Sequence, residues 1–162
     1  MIEVVEKAIV RQPIGDVFDS VTTIANWPII DPMMGPMLEH PPAHPTSSGE
    51  TFVGIGRVGP MQSRMLWTVT ECRRPQRWVG ELRPIKVNRL VDFGTITTTY
   101  EFSEAEDGTH VELRCAWDPH ALARVVSRVY LEGYEQKMAR HMVTNLKRTL
   151  ESGWQPNDGH HH

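Results

Sequence analysis

The sequence predicts an α+β domain in which a curved antiparallel sheet wraps around a long C-terminal helix. Three observations carry this. The last third of the chain, Pro119 to Ser152, has no proline after Pro119 and a single glycine, Gly133, so nothing in it forbids a helix of ~50 Å at ~1.5 Å per residue. The middle of the chain is a succession of short alternating segments separated by Gly, Pro and Asp turns, which implies antiparallel pairing. A strand and two short helical segments come first. The order is therefore β, two short helices, about six antiparallel strands and a long helix, with the helices on one side of one sheet.

The bulk composition is that of one soluble domain. The chain has 162 residues, 40% hydrophobic and 23% charged, with a formal net charge of -3. That size suits a single core, and the charge argues against a nucleic-acid footprint, which needs a clustered basic surface. The run Arg73, Arg74, Arg77 is short and flanked by acids, and reads as a solvated strand end. The N-terminal Met-Ile-Glu-Val-Val-Glu-Lys has charges where a leader needs apolar residues, and no segment approaches a membrane span. Cys72 and Cys115 lack metal-ligand spacing and read as reduced, buried thiols of a cytoplasmic protein. Residues 1–152 form one domain. Residues 153–162 are a tail whose end, Gly159-His160-His161-His162, resembles a purification-tag remnant.

Taken in order, Ile2 to Arg11 is a strand carrying Val4, Val5, Ile9 and Val10. Pro13 opens a helix whose apolar face is Ile14, Val17, Phe18, Val21 and Ala25. Asn26-Trp27-Pro28 breaks it, and a second short helix or turn covers Ile29 to Met34. His40 to Gly49, with three prolines, is a loop and a candidate rim or lid. Strands follow at Glu50 to Val58, Met61 to Cys72, Arg77 to Arg83, Val87 to Ser103 and Thr109 to Asp118. Asp107-Gly108 makes a strong hairpin signal before the last.

The C-terminal stretch contains two apolar stripes. Leu122, Val125, Val126, Val129 and Tyr130 form one. Leu131, Tyr134, Met138, Met142, Leu146 and Leu150 form the other. Each has helical spacing, yet on one wheel they point in roughly opposite directions. The sequence thus predicts a bend or break within about two residues of Gly133, a gripped helix from about Leu131 to Glu151, and a separate short helix or gate before it.

The ordered punctuation resembles the START/Bet v 1-like (SRPBCC) superfamily, and within it the polyketide cyclase/dehydratase-like branch. The residues that carry the resemblance are the first strand and Pro13, Val17-Phe18-Asp19-Ser20-Val21, Asn26-Trp27-Pro28, Gly49-Glu50-Thr51-Phe52, Trp67 to Glu71, Arg74-Pro75-Gln76-Arg77, Tyr100-Glu101-Phe102, Asp107-Gly108-Thr109, and the terminal Leu146 to Glu151. The resemblance spans nearly the whole chain. It implies a helix-grip fold, a seven-stranded sheet around the long helix with an internal cavity, but no single chemistry, since members bind, transport, cyclise or hydrolyse.

Strand alternation then assigns the cavity wall. Met61, Ser63, Met65, Trp67 and Val69 point inward from one strand. Trp78, Gly80 and Leu82 point inward from the next, with Gly80 leaving space. Asp92, Gly94, Ile96, Thr98, Tyr100 and Phe102 follow, then Val111, Leu113, Cys115 and Trp117. Tyr134, Met138 and Met142 face them from the helix. The candidate ligand-binding residues are Ser63, Met65, Trp67, Trp78, Gly80, Ile96, Thr98, Tyr100, Trp117, Tyr134, Met138 and Met142, an apolar wall with a few polar points. The same side chains would equally serve to fill a solid core.

Candidate acid or base groups are Asp92, Tyr100, Tyr134 and His40. Two placements stand for Asp92: a carboxylate raised in pKa by an apolar interior, or, by a register slip near Pro84, a surface residue, which is preferred. Glu71 is inward by parity but sits at a strand end, solvated or paired with Arg73 or Arg77. His40 and His44 are separated by prolines that forbid a chelating helix, and no third metal ligand is spaced with them. His110, His120 and His141 carry no motif. No phosphate loop, nucleophile elbow or dinucleotide fingerprint is present. The lead expectation is a domain that encloses a small hydrophobic or aromatic molecule, without metal or cofactor. The alternatives are a cofactor-independent cyclase or dehydratase using the same cavity, and a protein-interaction module of the same fold. A homodimer is left open.

Overall fold

A computed structural model of the chain describes residues 2–30, 38–58, 61–85, 94–118 and 134–154. Its elements are β1 (Ile2–Val10), α1 (Ile14–Thr22), a 3₁₀ turn (Ile24–Asn26), α2 (Trp27–Ile30), β2 (Leu38–Glu39), β3 (Thr51–Val58), β4 (Met61–Arg73), β5 (Arg77–Pro84), β6 (Thr95–Ala105), β7 (Gly108–Asp118) and α3 (Tyr134–Glu151). The seven strands form one antiparallel sheet in the order β1-β7-β6-β5-β4-β3-β2. This is the helix-grip arrangement expected from the sequence, with the two-residue edge strand β2 added to the strands that alternation identifies. β6 begins at Thr95 rather than Val87, and Asp92 lies outside the described residues. So does the expected break at Gly133 and the segment before it.

Pro13 immediately precedes α1, as expected, but α1 ends at Thr22 rather than at Ala25. The reason is the way its C-terminus is capped. The last carbonyls of a helix have no partner within it. Here the Asp19 carbonyl accepts from the Thr23 amide and hydroxyl, that of Ser20 from Asn26 Nδ2 at 3.0 Å, and that of Val21 from Trp27 Nε1 at 2.8 Å. The Thr22 carbonyl takes both the amide and the hydroxyl of Thr46, at 3.0 and 2.8 Å. Asn26 and Trp27 are therefore caps for α1, and Pro28 lies in the first turn of α2, where its missing N–H costs nothing. The sequence reading, in which Asn26-Trp27-Pro28 simply breaks a helix, misses this role.

The inner face of the sheet follows the predicted parity. Met65, Trp67 and Val69 on β4, Trp78 and Leu82 on β5, Tyr100 and Phe102 on β6, and Val111 and Leu113 on β7 are all buried. Between Val69 and Glu71 the β4–β5 register shifts by one residue. This bulge exchanges the two faces, so Glu71 emerges on the outer face and pairs with Arg73 at 2.7 Å and Arg77 at 3.1 Å. Cys72 turns inward, where its thiol donates to the Thr46 carbonyl at 3.2 Å. Both cysteines are half-buried and free.

The gripped helix keeps the expected stripe at Leu146 and Leu150 and shifts it by one position ahead of them. Its buried stripe is Ala139, Val143, Leu146 and Leu150, while Met138 and Met142 are half-buried beside it. α3 packs chiefly against β1, with α2 and β7 as lesser neighbours. Facing an edge strand rather than the sheet centre rotates the stripe, and Ala139 permits close approach. Polar contacts fasten the C-terminal end of α3. Lys147 Nζ donates to the Ile9 carbonyl at 2.6 Å and pairs with Glu151 at 2.7 Å. Glu151 also accepts from the Arg11 amide at 2.9 Å, and Gln12 Nε2 donates to the Leu150 carbonyl at 3.2 Å.

Hydrogen bonding from Lys147, then from the Arg11 amide, holds the Glu151 carboxyl below its ordinary 4.5. A carboxylate with a depressed folded-state pKa adds stability above its unfolded pKa and loses it as pH falls through the folded one. Glu151→Gln is thus expected to lower stability by about 0.5–1 kcal/mol at neutral pH. The difference from the parent should fade as urea denaturation is repeated from pH 6 down through the carboxylate range.

Candidate functional site

The inner face has a sealed end and an open end. Cross-strand register lays it out in rows. Trp78, Tyr100 and Leu113 lie in one row, Val69, Gly80, Thr98 and Cys115 in the next, and Phe52, Trp67, Leu82, Ile96 and Trp117 in the one after. Trp78, Leu113, Val111 and Val10 are fully buried. Further along the strands, Cys115, Ile96 and Trp117 are only half-buried, as are Val4 on β1 and Met138 and Met142 on α3. Among the described residues, a group of apolar inner-face side chains is thus partly exposed toward that end of the grip.

Aromatic packing seals the end at Trp78 and, on β3 and β4, reaches out to Phe52 and Trp67 in the row of Ile96 and Trp117. Trp27 meets Phe52, Trp67 and Trp78 edge-on at centroid distances of 5.6, 5.3 and 5.9 Å. Phe52 stacks on Trp67 at 5.6 Å, and Tyr100 on Phe102 at 6.1 Å. Phe18 of α1 closes the series on Phe102 at 5.4 Å. Such pairs add about 0.5–1.5 kcal/mol each beyond burial.

Gly80 is a correction to the sequence reading. It does not leave room: a Cβ there would lie 2.5 and 2.9 Å from Trp78 Cη2 and Cζ3 and 3.2 Å from Trp67 Cε3. The space is already occupied by indole rings resting on the strand. Gly80→Ala is therefore expected to destabilise by about 1–3 kcal/mol through overpacking, measured as a lowered urea midpoint with unchanged slope.

The loop from His40 to Gly49 is likewise not a lid. Its Thr46, 3% exposed, accepts from Trp78 Nε1 at 3.1 Å, in addition to its bonds to Thr22 and Cys72. The Ala25 amide donates to Pro42, the Cys72 amide to Ser48 Oγ, and the Gly49 amide to Val69. His44 is within 2.6 Å of Glu50, and Glu50 also accepts from the Ser47 amide. These bonds, led by the one from His44, lower the Glu50 pKa. The loop is a clasp across the sealed end. Thr46→Val keeps the shape but leaves the Trp78 N–H unpaired, and should cost about 1–3 kcal/mol in denaturant unfolding followed by tryptophan fluorescence.

The remaining sequence candidates are dispersed. Tyr100 is buried between Trp78 and Phe102. His40 is exposed beyond the edge strand β2, with φ +44° as the chain turns into Pro41-Pro42. Thr98 is buried on the inner face. Ser63 lies opposite Gly56 in the ladder, and Tyr134 opens α3. Among the described residues no three His, Cys, Asp or Glu side chains are grouped to hold a metal ion, and no helix is long and apolar enough to cross a membrane. A groove of about 470 Å³ lies on the outer face, lined by Lys7, Arg73, Arg77, Glu101, Glu112 and neighbours. Those five charged groups are engaged in ion pairs with one another or with Glu71 and Arg114.

The sequence of residues 1–151 matches the family described as polyketide cyclase/dehydrase and lipid transport. The chain belongs to this family. Both activities in that description handle apolar molecules, so membership agrees with a hydrophobic-ligand fold. Solved structures share the architecture. Protein Ms6760 from Mycobacterium smegmatis is 12% identical, with a TM-score of 0.66 over 94% of this chain and 93% of that one. Ara h 8.0201 is 10% identical, with a TM-score of 0.54 over 90% and 97%. DynU16, from the dynemicin biosynthetic locus, is 15% identical, with a TM-score of 0.62 over 95% of this chain and 48% of its own. At these identities the likeness concerns the fold. No curated protein matches the sequence.

Proposed function

We propose that this family member binds a small hydrophobic or aromatic molecule at the open end of its inner face, between the sheet and α3. The supporting observation is the burial gradient. Ile96, Cys115 and Met142 are apolar, pack against the core and remain partly exposed, and Trp117 and Met138 are half-buried. Leaving that surface in water costs roughly 25 cal/mol per Å², and an apolar ligand recovers it. Ligand sites pair such a wall with a few polar groups, and Thr98 and Trp67 lie in the rows behind and beside it.

Binding without chemistry is preferred to a cyclase or dehydratase reaction for a specific reason. General acid–base catalysis needs groups within hydrogen-bond reach of one reacting atom. Tyr100 lies two rows inside the open end, and His40 stands four strands away beyond β2. An interaction module using a solid core is disfavoured because Ile96, Cys115 and Met142 pack on the core yet stay partly exposed.

Fluorescence titration with N-phenyl-1-naphthylamine tests the proposal, together with native mass spectrometry of the purified protein for a retained small molecule. Saturable binding is expected, weakened about tenfold (~1.4 kcal/mol) by Ile96→Glu with little change in unfolding midpoint. Failure of the dye to bind the parent protein, or an unaltered affinity in Ile96→Glu, would sink this site.

A further inference from the structure

Trp67 carries a polar atom that no described group of the protein engages. The residue is 3% exposed, and its indole Nε1 is buried with no hydrogen-bond partner. An unpaired buried donor costs about 1–3 kcal/mol. The two other buried tryptophans avoid that cost, since Trp27 donates to the Val21 carbonyl at 2.8 Å and Trp78 to Thr46 Oγ1 at 3.1 Å. Among the described residues the other buried unpaired side-chain atom is Thr22 Oγ1, at the sealed end.

The orphan N–H is aimed. Phe52 stacked on one face and Trp27 edge-on fix the Trp67 ring. Nε1 lies 3.5 Å from the point a Cβ on Gly54 would occupy, and Leu38 Cδ2 lies 3.7 Å from the same point. Gly54 is opposite Met65, one row beyond Phe52 and Trp67 in the direction of the open end. The missing side chain thus leaves a methyl-sized notch beside the N–H, one row beyond the row that Trp67 shares with Ile96 and Trp117.

We infer that Trp67 Nε1–H, seated beside Gly54, is the donor that reads an acceptor oxygen on the bound molecule. The ligand class is therefore an apolar molecule bearing a carbonyl, ether or hydroxyl oxygen at its inserted end, not a bare hydrocarbon. This rests on the ligand-binding proposal above. An oxygen in the notch approaches Nε1 to ~2.9 Å and removes the penalty of the unpaired donor.

The test uses two near-isosteric compounds, 2-acetylnaphthalene and 2-isopropenylnaphthalene, which differ by C=O against C=CH₂. Each is titrated as a competitor of N-phenyl-1-naphthylamine on the parent, Trp67→Phe and Gly54→Ala. Gly54→Ala puts a methyl in the notch at ordinary contact distance, so it blocks the oxygen and keeps the fold even where Trp67→Phe does not. The ratio of ketone to hydrocarbon affinity is expected to fall about tenfold in each folded variant. In ¹⁵N-labelled parent protein the ketone alone should move the Trp67 indole resonance downfield. A ratio unchanged in either folded variant, with both compounds bound, overturns the inference and leaves the binding site standing. Failure of the dye and both compounds to bind the parent protein overturns both.

Discussion

One buried threonine holds the sealed end together. Thr46 sits in a loop with no regular structure, yet its amide, hydroxyl and carbonyl are all engaged: with Thr22 at the end of α1, with the Trp78 indole on β5, and with the Cys72 thiol on β4. A buried loop must find partners for its backbone groups, and this one finds them in the orphan carbonyl of a helix and the N–H of a core aromatic. The bond to Trp78 fixes the indole over Gly80. That in turn fixes the edge-on packing of Trp27, and through Trp27 and Phe52 the plane of Trp67. Burial also pushes the Cys72 thiol up in pKa, which suits a hydrogen-bond donor and not a reactive thiolate.

The bulge in β4 makes this clasp reachable. A strict two-residue alternation from Trp67 and Val69 would turn Glu71 inward beside Trp78 and Cys72 outward. One extra residue reverses both. The carboxylate goes to Arg73 and Arg77 on the outer face, and the smaller, less polar thiol enters under the loop. A charge that would have been expensive to bury is placed in solvent, and the sealed end becomes dry enough for three indoles.

Much of this was legible in the sequence because half-buried antiparallel strands write their burial as alternation. The inward parity of Trp67, Trp78, Tyr100, Val111 and Leu113 followed from that pattern alone. What alternation cannot express was missed. β2 is two residues long and has no period. A bulge is invisible until the partner strand is known. Gly80 reads identically whether it makes a hollow or accepts a ring, since the distinction lies in where Trp78 points. The composition of His40 to Gly49 says loop, but its clasping role depends on the carbonyls at the end of α1. Helical spacing identified α3 and its inward Leu146 and Leu150, but put Met138 and Met142 where Ala139 and Val143 are buried against the edge strand β1. The rows and the orphan indole of the candidate site lay beyond sequence reasoning altogether, because a glycine on β3 and a tryptophan on β4 become neighbours only through register.

The sealed end also explains why an open end persists. A core that was simply to be filled would place its large side chains evenly along the strands. Here the indoles and phenyl rings of Trp27, Phe52, Trp67, Trp78 and Phe102 are concentrated toward α1 and α2. The next inward positions on β3 past Phe52 are Gly54 and Gly56. Glycine weakens a strand interior and packs nothing, so two of them on one face is a cost with no return inside an empty fold. It is offset when something else occupies the space. On the ligand-binding proposal, the aromatic cluster is a rigid floor and Gly54 withholds a side chain beside it.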